Sequence, residues 1–290
     1  MLKNVIITAL ATLLCIIGFT YFESMEELEQ LREHVAAQVA NNKPTKMKRR
    51  DLFNLNGLVP EVSGAAYDRA RGVIWTLSDG KRKSPRLFLG VTSMKSYETK
   101  IVTILGAENI NWEAIVMDAN NHVWMLDVGD NDRIRPDVQL YEMDPDKINE
   151  KNEVTVERRI NVTYEEGGPR NVEAGFFFEG KLFLIEKHRH DDPKVAYIDF
   201  ATLQGANAVA MNYKHIKEVR WITDATVTEQ GDIYLLSYLG IYHIVHNDKH
   251  DKFEPKEFEF EDKWGQAESL FSFEDGKLVI GDEYGNFFIP

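Results

Sequence analysis

Acidic residues recur at one position of a repeated hairpin in this sequence. Glu113, Glu173, Asp224 and Glu268 each stand at the start of a short apolar run, at intervals of 60, 51 and 44 residues. Carboxylates that lie within several Å of one another repel, so they must pair with cations, bind a metal ion or take up protons. A set of oxygen donors without cysteine suits a hard cation, Ca²⁺ before Mg²⁺. We therefore predict a Ca²⁺ site formed by these four side chains.

A simpler interpretation of the same acids stays open. They could accept hydrogen bonds from backbone amides of neighbouring strands, or pair with Lys187, Arg170 or Arg133. In that case the ring of acids would be structural.

A second set of polar residues follows each acid by roughly fourteen positions, where the returning strand of the hairpin ends. The second hairpin adds a polar turn, DVGDN, at 127–131, and the third ends in KHRH, at 187–190. A D-x-G-D-N sequence also forms an ordinary Asx-type turn, so it is weak evidence for a ligand site. The predicted ligand-binding residues are Asp79, Asp127, Asp130, Asn131, Arg133, Lys187, His188, Tyr238 and Asp282.

These residues must be positioned by β-hairpins. Five similar hairpins are present, at 62–80, 112–130, 172–188, 223–240 and 267–285. Each has an apolar strand, a tight turn rich in Gly, Asn or Asp, and a second strand with an aromatic or large aliphatic residue. Further apolar runs between the hairpins bring each repeat to four strands, which is typical of a β-propeller blade. The sequence predicts an all-β, five-bladed β-propeller, with six blades as the alternative.

The last repeat is one strand short, and a strand-like segment at 51–58 precedes the first repeat. We predict that this segment supplies the missing outer strand. This would close the ring with strands from both ends of the chain, and closure removes exposed edges, which favours such an arrangement in a circular architecture.

The N-terminal region differs in composition from the repeats. Residues 5–22 form an uncharged apolar run long enough to span a bilayer, and Lys3 precedes it. The positive-inside bias places the N-terminus in the cytoplasm and the rest of the chain on the periplasmic or extracellular side. The predicted domains are a signal anchor and transmembrane helix (1–22), a helical stalk with a basic linker (23–50), and the propeller (51–290). A cleaved signal peptide is the alternative for the first segment.

Composition and motifs exclude some functions. The formal net charge of −13 argues against nucleic-acid binding, which needs a basic surface. Cys15 is the sole cysteine and lies in the apolar run, so the exported part has no disulfide. The sequence contains no G-x-S-x-G, H-E-x-x-H or phosphate-binding glycine motif, and no catalytic residue is assigned.

The motifs resemble a family of exported β-propellers. The similarity rests on EVSGAAYD with VIWTLSD, NWEAI with LDVGDN and a following arginine, LYEMDP, GPRNVEA, ITDAT and QAESL. This run of motifs resembles the SdiA-regulated family of envelope proteins and, more distantly, the phytase-like (esterase-like) and strictosidine-synthase/gluconolactonase propellers. The resemblance implies a propeller over residues 51–290 behind an N-terminal membrane segment, and calcium at Glu113, Glu173, Asp224 and Glu268. The first repeat departs from the acidic pattern, because Ser63 occupies the corresponding position.

Three functional hypotheses follow. The first is a membrane-anchored binding module that recognises a small molecule or an envelope partner at an acidic channel mouth organised by Ca²⁺. The second is a metal-dependent hydrolase of an ester, lactone or phosphoester, with a channel acid or His188 as the base. The third is a structural scaffold. The sequence favours the binding module, because the acids are regular and no pair of nucleophile and base is evident.

Overall fold

The computed structural model describes residues 50–79, 87–189, 191–213, 216, 219–247, 252–259 and 266–290. The predicted membrane segment and nearly all of the predicted stalk and linker lie outside these residues. Within the described ranges, no helix has the length and hydropathy needed to cross a bilayer.

The described chain is built from strands, as predicted, with a single 3₁₀ turn at Pro145–Lys147 among the described residues. The strands form five successive antiparallel groups of four, which we call repeats 1 to 5. Repeat 1 contains β2 (Val62–Asp68), β3 (Val73–Ser78), β4 (Phe88–Ser93) and β5 (Thr99–Leu105). Repeat 2 contains β6 (Ala114–Met117), β7 (Val123–Asp127), β8 (Val138–Met143) and β10 (Arg158–Tyr164). Repeat 3 contains β11 (Val172–Phe178), β12 (Lys181–Glu186), β13 (Val195–Asp199) and β14 (Asn207–Asn212). Repeat 4 contains β15 (Ile222–Val227), β16 (Ile233–Ser237), β17 (Gly240–Asn247) and β18 (Lys252–Glu259). Repeat 5 contains β19 (Ala267–Ser272), β20 (Leu278–Asp282), β21 (Asn286–Ile289) and the N-terminal β1 (Arg50–Asn54).

The first strands of the five repeats pack against one another in a closed cycle. β2 contacts β6, β6 contacts β11, β11 contacts β15, β15 contacts β19, and β19 returns to β2. Small residues allow this close approach: a Cβ atom on Gly64 of β2 would lie 3.2 Å from the Ala114 Cα of β6. The five strands therefore surround a common axis, with one mouth where they begin and another where they end.

The cycle is closed by strands from both ends of the described chain. β1 pairs antiparallel with β21, with Arg50 opposite Ile289 and Asn54 opposite Asn286. The Phe53 ring stacks on the Phe287 ring at a centroid distance of 4.6 Å. The predicted contribution of the N-terminal segment to the last repeat is thus confirmed, although the strand ends at Asn54.

Repeats 2 and 3 are joined more closely than the sequence predicted. Their outer strands β10 and β14 pair in parallel, which merges the two repeats into one eight-stranded sheet. A short additional strand, β9 (Glu153–Thr155), pairs in parallel with β5 and extends repeat 1. Both joints lie at the periphery, away from the first strands.

Candidate functional site

In four of the five repeats, a change in strand register redirects one residue near the start of the first strand, at the mouth where these strands begin. The pairing of the first with the second strand skips one residue in repeats 1, 3, 4 and 5. Such a bulge redirects the side chain of the extra residue. In repeat 2 the equivalent residue directly precedes β6, and its amide donates to the Leu126 carbonyl at 3.0 Å. The five ring positions are Ser63, Glu113, Glu173, Thr223 and Glu268.

Four of these five residues line a polar cavity of about 160 Å³, which we call the acidic mouth. Its lining contains six acidic residues and one lysine. The lining residues are Glu61, Val62, Ser63, Asp79, Glu113, Asn131, Glu173, Lys187, Tyr238, Gln266, Glu268 and Glu283. The structure thus brings together Glu113, Glu173 and Glu268 from the predicted metal set, and Asp79, Asn131, Lys187 and Tyr238 from the predicted ligand-binding set.

Asp224 is outside this group, which corrects the alignment of repeat 4. The residue skipped in that repeat is Thr223, and Asp224 pairs with Leu236 as an ordinary strand residue. The buried Asp224 carboxylate accepts hydrogen bonds from the amides of Ala225 (2.8 Å) and Leu270 (2.7 Å). Burial raises its pKa well above the ordinary value of 3.8. Asp224 therefore links the first strands of repeats 4 and 5 through these hydrogen bonds.

The second strands also differ from the prediction by one residue in two repeats. The residues that face the acidic mouth are Asp79, Lys187, Tyr238 and Glu283, each directly after the last residue of its strand. Asp127 and Asp282 are one position earlier, and side chains along a strand alternate between its two sides. The Asp282 carboxylate accepts from the amides of Tyr284 and Asn286 instead, at 3.0 and 2.9 Å. The cavity-facing acid of repeat 5 is Glu283.

Glu113 is held between two hydrogen-bond donors. The Ser63 hydroxyl donates to its Oε2 at 2.8 Å, and the Asn111 side-chain amide donates to its Oε1 at 2.6 Å. Burial, followed by the charges of Glu173 and Asp79, raises the pKa of Glu113 well above 4.5.

Lys187 and Tyr238 link the other two ring carboxylates. The Lys187 Nζ donates to Glu173 Oε2 and to the Tyr238 hydroxyl, both at 3.1 Å, and this hydroxyl donates to Glu268 Oε1 at 2.5 Å. Burial would lower the pKa of Lys187, but the charges of Glu173 and the other nearby acids outweigh it and raise the pKa well above 10.5. Burial raises the pKa of Glu268 to about 7 against the opposing charge of Lys187. The acidic mouth therefore combines a charged lysine with a carboxyl group that titrates near neutral pH.

The DVGDN turn is occupied by contacts within its own loop. Arg135 forms two hydrogen bonds of 3.2 Å to the Asp127 carboxylate, which is buried. Asp130 accepts from the amides of Ile134 (3.0 Å) and Arg135 (2.9 Å). Asn131 reaches the acidic mouth and accepts a hydrogen bond of 2.9 Å from Asn171. The DVGDN turn is therefore a structural Asx-type turn. One of its side chains, that of Asn131, lines the cavity.

Arg133 and His188 contact a different acid, Glu186 at the end of β12. The Arg133 guanidinium donates to Glu186 Oε1 at 2.8 Å, and His188 Nε2 lies 3.2 Å from Glu186 Oε2. Neither side chain lines the acidic mouth. His188 is therefore not placed to act as a base on a molecule bound in that cavity.

The residues two positions before the ring residues were not predicted from the sequence as part of the site. Asn111 and Asn171 donate to Glu113 and Glu173 at 2.6 and 2.8 Å, and Glu61 and Gln266 line the cavity. The signal was present as N-x-E in repeats 2 and 3 and as Q-x-E in repeat 5. In repeat 4 the corresponding residue is Trp221. Repeat 4 therefore lacks both the acid and the polar residue before it.

A second acidic group lies near the β6–β7 turn. Asp118, His122 and Glu142 place ligand atoms within 4.8 Å of one another. Asp118 accepts from the indole of Trp124 at 3.1 Å, and Glu142 pairs with His122 (2.7 Å) and Arg158 (2.9 Å). Repeat 1 has the same indole contact, from Trp75 to Asp68 at 3.2 Å. The contact between acid and tryptophan thus recurs as a structural element.

Comparisons with known proteins identify structures of low similarity. No family model and no curated protein matches the chain. The extracellular domain of BT4673 from B. thetaiotaomicron, described as a one-component system, aligns at 14% identity and a TM-score of 0.43 over 83% of this chain and 31% of that one. A structure of the same domain described as part of a hybrid two-component system aligns at 13% identity and a TM-score of 0.42, over 82% of this chain and 30% of that one. A catalytically inactive virginiamycin B lyase from Staphylococcus aureus with quinupristin aligns at 12% identity and a TM-score of 0.42, over 79% of this chain and 65% of that one.

This chain therefore spans about a third of the BT4673 domain and two thirds of the lyase. Similarity at this level assigns no residue role and no activity.

Proposed function

We propose that this chain is a membrane-anchored, extracytoplasmic binding module, a five-bladed β-propeller whose acidic mouth binds a small cationic ligand. The observation that carries the proposal is the acidic lining of the mouth, where the described residues include six acids and one lysine. Glu113, Glu173 and Glu268 are buried and the other three acids are half-buried, an arrangement that favours a cation entering the cavity.

Ca²⁺ is the cation that the donors suit best. Glu113, Glu173 and Glu268 offer carboxylate oxygens, and Ser63 and Asn131 add a hydroxyl and an amide oxygen. Ca²⁺ takes six to eight oxygen ligands in a flexible geometry, partly from water. A cavity of about 160 Å³ exceeds the roughly 30 Å³ that one water molecule occupies in the liquid, so it can hold an ion with part of its water shell. A hydrated divalent ion therefore fits beside Lys187.

The membrane anchor rests on the apolar run at 5–22 and on the lysine that precedes it. The five-bladed architecture is supported by the five four-stranded repeats and by the closed cycle of first strands. A ligand in the acidic mouth could contact all five repeats, because the lining includes residues from repeats 1, 2, 3 and 5 as well as Tyr238 from repeat 4.

Calorimetric titration of the full chain in detergent micelles with CaCl₂ tests this function. We expect saturable binding to the wild type, weaker binding of MgCl₂, and loss of Ca²⁺ binding in the double variant Glu113→Gln with Glu173→Gln. The matched control is Glu186→Gln, which removes an equally buried acid on the same side that lies outside the cavity. Unchanged Ca²⁺ binding in the double variant, or no binding to the wild type, would refute the proposed site.

A metal-dependent hydrolase is the second candidate, and one observation favours it. Glu268 titrates near neutral pH beside the cavity, as a general base or acid should. A screen of ester, lactone and phosphoester substrates with and without EDTA tests this activity. Hydrolysis that both EDTA and the Glu268→Gln substitution abolish would support the hydrolase function. If no substrate is turned over, the hydrolase function is refuted and the binding function remains.

A further inference from the structure

A second cavity lies where the five first strands end, opposite to the acidic mouth. Its volume is about 730 Å³, and we call it the turn mouth because the hairpin turns surround it. Three consecutive residues of each first strand line it: Ala65–Tyr67, Ile115–Met117, Phe176–Phe178, Ala225–Val227 and Leu270–Ser272. None of the residues predicted from the sequence to form a site lines this cavity.

The lining forms an apolar funnel. In each of these groups the first residue is buried and the third is partly exposed, from Ala65 to Tyr67 in repeat 1 and from Phe176 to Phe178 in repeat 3. The walls are mostly aliphatic or aromatic. A cavity of this size and character falls within the range of small-molecule sites, which extends from about 300 to about 1,000 Å³.

The rim of the turn mouth carries mainly negative charge. Among the described residues, the lining contains the acids Asp118, Glu179 and Glu229 and one cation, Arg69. Arg69 pairs with Glu229, and its Nε lies 3.6 Å from Glu274 Oε1. Arg69 belongs to the turn of repeat 1, Glu229 to that of repeat 4 and Glu274 to that of repeat 5. Since repeats 1 and 4 are not neighbours in the cycle, the Arg69–Glu229 pair reaches across the mouth.

We propose that the turn mouth binds a small amphiphilic amine, a molecule with an apolar body and an ammonium group. The body would occupy the funnel, and the ammonium would take the place of Arg69 beside Glu229 and Glu274. These three side chains are between 42% and 58% exposed, so the exchange requires little desolvation. The acidic residues at the rim would repel an anionic amphiphile of the same size. The proposal is independent of the function of the acidic mouth.

Photolabelling of the full chain in lipid nanodiscs tests the proposal. The probe is decylamine that carries a diazirine, and the matched probe is decanoic acid with the same diazirine. Labelled residues are mapped by peptide mass spectrometry. We expect the amine to label 115–117 and 176–178 at least fivefold more than the acid does.

Two variants that fill the funnel, Thr226→Trp and Ser272→Phe, should each reduce this labelling at least fivefold. Either one suffices if the other does not fold, which circular dichroism would show. The double variant Glu229→Gln with Glu274→Gln should reduce the preference for the amine. The control pair is Glu98→Gln with Glu153→Gln, an exposed acid just before β5 and a half-buried acid on β9, neither of which lines the turn mouth. Equal labelling by both probes would refute the cationic ligand class, and labelling insensitive to the filling variants would refute the site.

Discussion

The Lys187 ammonium donates hydrogen bonds of 3.1 Å to both Glu173 and the Tyr238 hydroxyl, inside the ring of carboxylates that surrounds the acidic mouth. Among the described residues that line this cavity, Lys187 is the one cation beside six acidic residues. This cation stabilises the fold without a bound ligand, and it also competes with any cation that enters. The balance between these two effects can be measured.

Lys187→Met should destabilise the Ca²⁺-free protein and strengthen Ca²⁺ binding. Removal of one partner of a buried ion pair leaves an uncompensated charge and costs about 3 kcal/mol or more. We expect this loss in the free energy of unfolding, an affinity for Ca²⁺ at least tenfold higher, and recovery of the melting temperature when CaCl₂ is added. Lys181→Met, at a lysine packed over the Tyr197 ring, is the control. A variant that melts like the wild type would show that Lys187 is not a required counter-ion.

The free energy of unfolding should decrease as the pH rises from 4.5 to about 7, because the Glu268 carboxyl group holds its proton more tightly in the folded protein than in the unfolded chain. Burial raises the pKa of Glu268 from 4.5 to about 7, so within this interval the folded protein holds a proton that the unfolded chain has released. The contribution of Glu268 to the free energy of unfolding is fully present below pH 4.5 and is lost as the pH rises to about 7. Above that pH it does not change further. Its size is on the order of 3 kcal/mol. Urea unfolding at pH 5 and pH 8 should show a smaller difference for Glu268→Gln than for the wild type; an equal difference would contradict the assignment.

Gly129→Ala should disrupt the acidic mouth without a direct change to any ring residue. A Cβ atom at this position would overlap the Asn111 amide and the Glu113 carboxylate. We expect Ca²⁺ affinity to fall at least tenfold, because Glu113 must leave its position. Gly72→Asn is the control, since a Cβ atom there meets nothing within 4 Å and asparagine tolerates the left-handed φ of 61°. Equal affinities in both variants would argue against a role for Glu113.

Asp130→Ala should reduce stability and leave Ca²⁺ binding within twofold of the wild type. The carboxylate accepts two backbone hydrogen bonds, and the amides left without it would cost about 2 kcal/mol. Thermal unfolding and calorimetry together distinguish this outcome from a direct ligand role. A large loss of Ca²⁺ affinity at unchanged stability would restore the DVGDN turn as part of the site.

Phe53→Ala should weaken the closure of the cycle. The half-buried Phe53 ring stacks on Phe287 at 4.6 Å, and its removal should cost about 2 kcal/mol, less than for a fully buried phenylalanine. Leu58→Ala, at an exposed leucine, is the control for chemical denaturation. Equal stability of both variants would show that β1 adds little to repeat 5.

The sequence by itself determined the all-β fold, the five hairpins and the pairing of the N-terminal strand with the last repeat. These features follow from local signals: alternating apolar residues, tight turns and an unpaired strand at each end. It also placed Glu113, Glu173 and Glu268 at one mouth, because a hairpin returns its second strand to the level at which the first began.

The tertiary structure alone decided which side chains enter that mouth. A register shift of one residue moves a side chain to the other side of a strand, and hydrophobic patterning does not reveal such a bulge. For this reason Thr223, whose hydroxyl donates to the Ala267 carbonyl at 2.7 Å, occupies the ring position of repeat 4 in place of Asp224, and Glu283 lines the cavity in place of Asp282. The apolar funnel at the turn mouth exists because five strands, far apart in the chain, end around one axis. No single repeat contains it.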